Sequence, residues 1–132
     1  MAHILVVDDE PAVRDTLVQR IQEMKHRCVE AGNGLEALER LHEREFDLIL
    51  TDVMMPKLNG FQFLDRALPY LKGRVPVVIL SSVDEGDGVA AAIEAGAYDY
   101  LNKPTEQEHL QRVIREGLRR REEMVRLLGR FR

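Results

Sequence analysis

At 132 residues the chain has room for one domain of ordinary size around a single core, and a second folded domain does not fit. Its composition, 45% hydrophobic and 32% charged with a net charge of -4, describes a globular chain and argues against a nucleic-acid binder, whose phosphate contacts need a basic face. No apolar stretch approaches the roughly 20 residues that span a bilayer, and the start, MAHILVVDDE, lacks the basic region and cleavage site of a signal peptide, so a cytoplasmic location is expected.

The apolar, β-branched run His3 to Val7 reads as a strand, and Pro11 then opens a helix whose Val13, Leu17, Ile21 and Met24 recur at helical spacing. Arg27 to Ala31 is a weaker second strand, closed by the turn GNG, and Leu35, Leu38 and Leu41 mark the next amphipathic helix. Phe46 to Thr51 is the third strand. From Asn59 to Leu71, the residues Phe63, Leu64, Ala67, Leu68 and Leu71 share one side of a helix. PVVIL, residues 76 to 80, is a continuous apolar strand of the kind covered on both faces. Gly88 to Ala95 is a helix of small residues, Tyr98 to Leu101 a short fifth strand, and a long last helix starts at Glu106. Five such strand and helix units imply an α/β fold, a doubly wound parallel sheet with helices on both faces, because each parallel connection needs a crossover.

In an open sheet of this kind ligands bind in the crevice beyond the carboxyl ends of the strands. There the first strand delivers Asp8, Asp9 and Glu10, the third Asp52, the fourth Ser81 and Ser82, and the fifth Lys103 followed by Pro104. Adjacent carboxylates repel unless a cation sits among them, and hard oxygen ligands suit Mg²⁺, which shares its shell with phosphoryl groups. A lysine adds a point charge for a phosphoryl oxygen and a serine adds one hydrogen bond. Together they describe a site for phosphoryl transfer to a carboxylate. Cys28 is the sole cysteine, so it forms no internal disulfide and reads as a small buried hydrophobe. The four histidines, His3, His26, His42 and His109, have no metal-ligand spacing.

VVDDE at 6–10, DLILTDVMMPKLNG at 47–60, PVVILSS at 76–82 and GAYDYLNKP at 96–104 stand in one order at the ends of successive strands. In this the chain resembles the receiver domain of two-component response regulators, over residues 3 to about 120. The resemblance implies a flavodoxin-like strand order 2-1-3-4-5 and a cis bond before Pro104. It implies that Asp52 is the phosphoacceptor for a histidine kinase or phosphotransfer protein, and that Mg²⁺ is bound by Asp9, Asp52 and the Met54 backbone carbonyl, and by Asp8 through water. Lys103 and Ser81 would hold phosphoryl oxygens. Tyr100 would turn inward as Ser81 and the loop SSVDEGDG, residues 81–88, respond. Met54 and Val83 stand where the family varies the lifetime of the acyl phosphate. An output domain or effector would read the face made by the fourth helix, fifth strand and fifth helix. The chain would then be a signalling domain with no enzymatic activity beyond its own phosphorylation and dephosphorylation.

Other readings share parts of this pattern. A Mg²⁺-dependent aspartyl-phosphate phosphatase of the haloacid dehalogenase type resembles DxD after its first strand, whereas Asp8 and Asp9 are adjacent here. A flavodoxin-type electron carrier would have a Ser/Thr-rich phosphate loop after that strand, and none is present. An unphosphorylated scaffold receiver would lack some of the key positions. The end of the chain is distinct, since eight arginines against three glutamates in residues 112–132 leave residues 1–111 at -9. Residues 1–120 are expected to form the receiver and 121–132 a basic helical extension. Met124, Val125 and Leu128 continue the helical spacing, which fits a linker to an output domain or a coiled-coil homodimer seam, while Gly117 and Gly129 favour a solvated end that frays. No second helix is placed to set this stretch in a DNA groove, so direct nucleic-acid binding is not expected.

Overall fold

Alternation decides which side of the sheet each strand residue serves. The computed structural model describes residues 1–82 and 88–129. Its strands are β1 (His3–Val7), β2 (Arg27–Ala31), β3 (Leu48–Asp52), β4 (Val77–Ser82) and β5 (Asp99–Lys103). They pair in parallel in the order β2-β1-β3-β4-β5, as expected. Leu5, Val7, Ile49, Val77 and Ile79 point to one face, where α2 (Gly34–Glu43), α3 (Gly60–Leu71) and α4 (Gly88–Glu94) cover them with Ala37, Phe63, Leu64, Ala67 and Ala92. Ile4, Val6, Leu48, Leu50, Val78, Leu80 and Leu101 point to the other, under Leu17 and Ile21 of α1 (Pro11–Glu23) and Leu110, Val113 and Ile114 of α5 (Gln107–Gly129). Covering both faces is what permits β3 to be buried at all five positions. Each fully buried Leu or Ile there stabilises the fold by about 1.5–3 kcal/mol.

Local signals set the helix starts. Pro11 occupies the first turn of α1, where its missing N–H costs nothing. Asn33 caps α2 by accepting from the Glu36 amide at 2.9 Å, and Asn59 and Gln62 form a reciprocal capping box on α3. α3 must also start close under β3. The Gly60 amide donates to the Val53 carbonyl at 2.9 Å, and a Cβ at Gly60 would collide with the Asp52 carbonyl oxygen. Glycine at this position lets the chain fold back directly after the strand.

Several boundaries differ from the expected ones. β4 runs on through Ser81 and Ser82 and β5 through Asn102 and Lys103, because these polar residues pair across the ladder even though hydrophobicity has ended. β3 begins at Leu48, since Asp47 turns in to exchange hydrogen bonds with the backbone of His3, leaving Phe46 buried ahead of the strand. Leu35 and Leu68 share their helices' apolar spacing yet lie 42% and 41% exposed, Ala37 and Ala67 taking the core positions. Cys28 is half-buried rather than fully enclosed. Gly117 does not loosen α5: a Cβ there would lie 2.6 Å from Cδ1 of Leu48, so its lack of a side chain lets the helix approach the sheet. α5 stays helical to Gly129.

Candidate functional site

Asp8 leaves the end of β1 with its amide bonded to the Ala31 carbonyl at 3.1 Å, and its side chain is wholly buried. Its Oδ1 accepts from the Glu10 amide at 3.0 Å. Its Oδ2 makes no hydrogen bond of good geometry and is met by the Lys103 ammonium at 2.8 Å. The same ammonium lies 3.0 Å from Asp52 Oδ2, while Asp52 Oδ1 accepts from the Val53 amide at 2.8 Å. The register explains the meeting: Asp52 pairs with Leu80 and Ser82 with Lys103, so β3, β4 and β5 end together. The Lys103–Pro104 peptide bond is cis.

Charge inside this cluster is unbalanced. Burial pushes the Asp52 carboxyl above its ordinary value, with Asp8 adding to the push and Lys103 opposing it. For Lys103 burial works against the ammonium, but hydrogen bonds and charge from Asp8 and Asp52 outweigh it and raise its pKa. Asp9 and Glu10 are exposed beside them, and carboxylate oxygens of Asp8, Asp9 and Glu10 lie within 4.8 Å of one another. Two carboxylates thus share one ammonium, with two more beside Asp8. An all-oxygen donor set and a deficit of positive charge fit a divalent hard cation such as Mg²⁺.

The remaining expected residues gather around the same edge. Ser81 is buried, with its Oγ donating to the Ser82 carbonyl at 3.2 Å. Tyr100 on β5 is half-buried against the α3/α4 core, and Met54 follows β3 with its side chain 67% exposed. Val83, and residues 83–87 of the loop SSVDEGDG, lie outside the described residues. Cys28 takes no part, its thiol pushed up to about 11 by burial and by Glu30.

Two arginines of α1 also frame the site, and neither stands out in the sequence. Arg14 donates to the Asp8 carbonyl at 2.7 Å and pairs with Glu30 of β2 at 3.0 Å. Arg20 donates to the Thr105 carbonyl at 2.6 Å, tying α1 to the turn that follows Lys103. Six residues apart, about 120° around the helix, they flank the apolar stripe of Leu17 and Ile21 on opposite sides, a placement with no distinctive sequence signal.

Known proteins are similar to this chain in sequence and in fold. The family model for the response regulator receiver domain matches residues 4–115. Among curated relatives, the transcriptional regulatory protein ZraR of Klebsiella oxytoca is 35% identical over 115 residues, covering 87% of this chain and 26% of that protein. AfsQ1 of Streptomyces coelicolor is 33% identical over 122 residues, covering 92% of this chain and 53% of that one. The chain therefore spans about a quarter to a half of these relatives' length. Among solved structures, a response regulator receiver domain protein from Clostridium thermocellum superposes with a TM-score of 0.87 at 27% identity, over 94% of this chain and 99% of that one. NtrX from Brucella abortus gives 0.90 at 28% identity, over 99% of this chain and 30% of that one. No helix among the described residues is long and apolar enough to cross a membrane. With its sheet order, its strand-end acids and a family match over most of its length, the chain belongs to the response-regulator receiver domains of two-component systems.

Proposed function

We propose that the chain accepts a phosphoryl group from a histidine kinase or phosphotransfer protein on Asp52, in a Mg²⁺-dependent reaction, and that it works in the cytoplasm as a signalling domain rather than a turnover enzyme. The observation that carries this reading is the Lys103 ammonium set between Asp8 and Asp52 at 2.8 and 3.0 Å. A carboxylate oxygen of Asp52 attacks the phosphorus of a phosphohistidine. The O–P bond forms as the P–N bond breaks, and the electron pair left on the imidazole nitrogen takes up a proton. The Val53 amide holds the Asp52 carboxylate in one orientation, and Lys103 is within reach of a phosphoryl oxygen built on Oδ2. Asp9, Asp52 and the Met54 carbonyl, with Asp8 through water, would hold Mg²⁺, which supplies positive charge to the phosphoryl oxygens.

Ser81 and Tyr100 form the switch in this account. Phosphorylation replaces the single negative charge of the Asp52 carboxylate with an acyl phosphate of about two and adds three acceptor oxygens at the end of β3, and the Ser81 hydroxyl is the donor on the neighbouring strand. Tyr100 on β5 pairs with Ile79 on β4 and turns inward as Ser81 moves. The readout is the face of α4, β5 and α5, where Ile93 and Tyr98 are 60% and 37% exposed. Residues 1–120 form the receiver, and the helix from 121 onward leads to an output domain or effector, with a homodimer along it as the second use. Sedimentation of this chain as a monomer both before and after phosphorylation would exclude that second use.

Incubation with acetyl phosphate and Mg²⁺, followed by borohydride reduction and peptide mapping, tests the transfer. Modification at residue 52 supports it. Steady turnover of p-nitrophenyl phosphate would favour an aspartyl-phosphate phosphatase, and the absence of modification by any donor would favour a scaffold.

A further inference from the structure

At the end of the sheet opposite Asp52, α2, α3 and α5 leave a cleft of about 230 Å³. Its floor is apolar, with Phe46 and Leu71 buried there. Tyr70 and Val125 stand at its walls, 55% and 42% exposed, and Tyr70 meets the His42 ring edge-on at 4.7 Å between centroids. The volume lies below the roughly 300–1,000 Å³ of small-molecule sites and matches one bulky side chain, which suits an anchor residue of a polypeptide.

Charge narrows the choice. Arg44, Lys72 and Arg74 line the cleft and form no ion pair among the described residues; Glu45 is the one acidic residue that lines it with them, and Arg121, which also lines it, is paired with Asp47. Arg44 and Lys72 are the C-cap residues of α2 and α3, where a cation offsets the helix dipole without any partner. Arg74 has no such role. It lies past the end of α3, and its Nε is buried without a hydrogen bond. The cationic rim stands out from residues 1–111, which carry -9.

We propose that this cleft docks an acidic segment of a partner protein that inserts one bulky apolar side chain between Tyr70, Val125 and Leu71, with Arg74 as its charged anchor. Because the cleft and Asp52 lie at opposite ends of the strands, this partner can stay bound while a phosphodonor reaches the acceptor. The contact also borders the α5 extension, so its occupant touches the segment that leaves the domain.

Fluorescence anisotropy of the full chain tests this with a labelled nine-residue peptide, one phenylalanine flanked by aspartates and glutamates. Saturable binding is expected, weakened about ten-fold or more by Arg74→Gln and by replacing the peptide's phenylalanine with serine. Arg74→Gln should keep the wild-type melting temperature, because the Arg74 contact to Arg121 is made by its backbone carbonyl. Failure of the wild type to bind, or equal binding by Arg74→Gln, would overturn the proposal. Equal binding of the serine peptide would reduce the cleft to a bare charged patch. Preference for a random DNA duplex would reassign it to nucleic acid, and a dimer that dissolves in Arg74→Gln would reassign it to a second copy of this chain.

Discussion

A lysine ammonium in contact with two carboxylates keeps a self-repelling cluster folded, and removing it leaves Asp8 Oδ2 buried with no compensation. Lys103→Ala should therefore cost about 1–3 kcal/mol in urea unfolding with EDTA present, the penalty of a buried group left unsatisfied, and should impair the response to phosphorylation far more than it impairs folding. Full unfolding of the variant would mark Lys103 as structural only. Asp47 shows the opposite titration. Burial pushes its carboxyl up, but the His3 amide and the Arg121 guanidinium, 2.7 Å away, outweigh that and hold it below the ordinary range. As the pH falls the unfolded chain takes the proton first, so this stabilisation is full at neutral pH and is lost as the pH drops through the folded-state value. Asp47→Asn should cost about 1–2 kcal/mol at pH 7, with the gap to wild type closing below about pH 4; a gap independent of pH would contradict the pairing. Asp8, Asp52 and Lys103 were legible in the sequence because each ends an apolar strand. Arg14, Arg20 and Arg121 were not, since their partners are backbone carbonyls and side chains distant in the chain, which no local pattern encodes.

Among elements, the strands most uniform in hydrophobicity were the easiest to find, and their ends the hardest. β4 and β5 gain polar residues through pairing with each other, which only the assembled sheet provides. α5 shows the same limit. Its apolar spacing is clear, but a glycine in mid-helix reads as a weakness until the neighbouring strand is known. Gly117→Ala should destabilise by about 1–2 kcal/mol, the clash with Leu48 outweighing a gain in helix propensity, whereas Gly129→Ala, with nothing within 4 Å of its Cβ, should not destabilise. Thermal unfolding of the two variants checks this. If Gly117→Ala proves as stable as wild type, α5 does not press on the sheet there. Arg121 then fixes where the helix parts from the body, through Asp47 and the Arg74 carbonyl.

For the molecule as a whole, one end of the sheet is an acidic crevice and the other a cationic foot. Relief of repulsion in the crevice should let Mg²⁺ stabilise the fold by about 1.4 kcal/mol at ten times its Kd. Equal melting temperatures in Mg²⁺ and EDTA would remove the metal from the account. The central claim is that Asp52 sits at the end of a buried strand because its reactivity is used, with Lys103 and a bound cation sharing its charge. Intact mass after incubation with acetyl phosphate, for the wild type and Asp52→Ala with Mg²⁺ or EDTA, tests it most directly. The account predicts a single phosphoryl adduct that requires Mg²⁺, is removed by hydroxylamine and is absent from Asp52→Ala. An adduct that persists in Asp52→Ala, or no adduct with any phosphodonor, would contradict it.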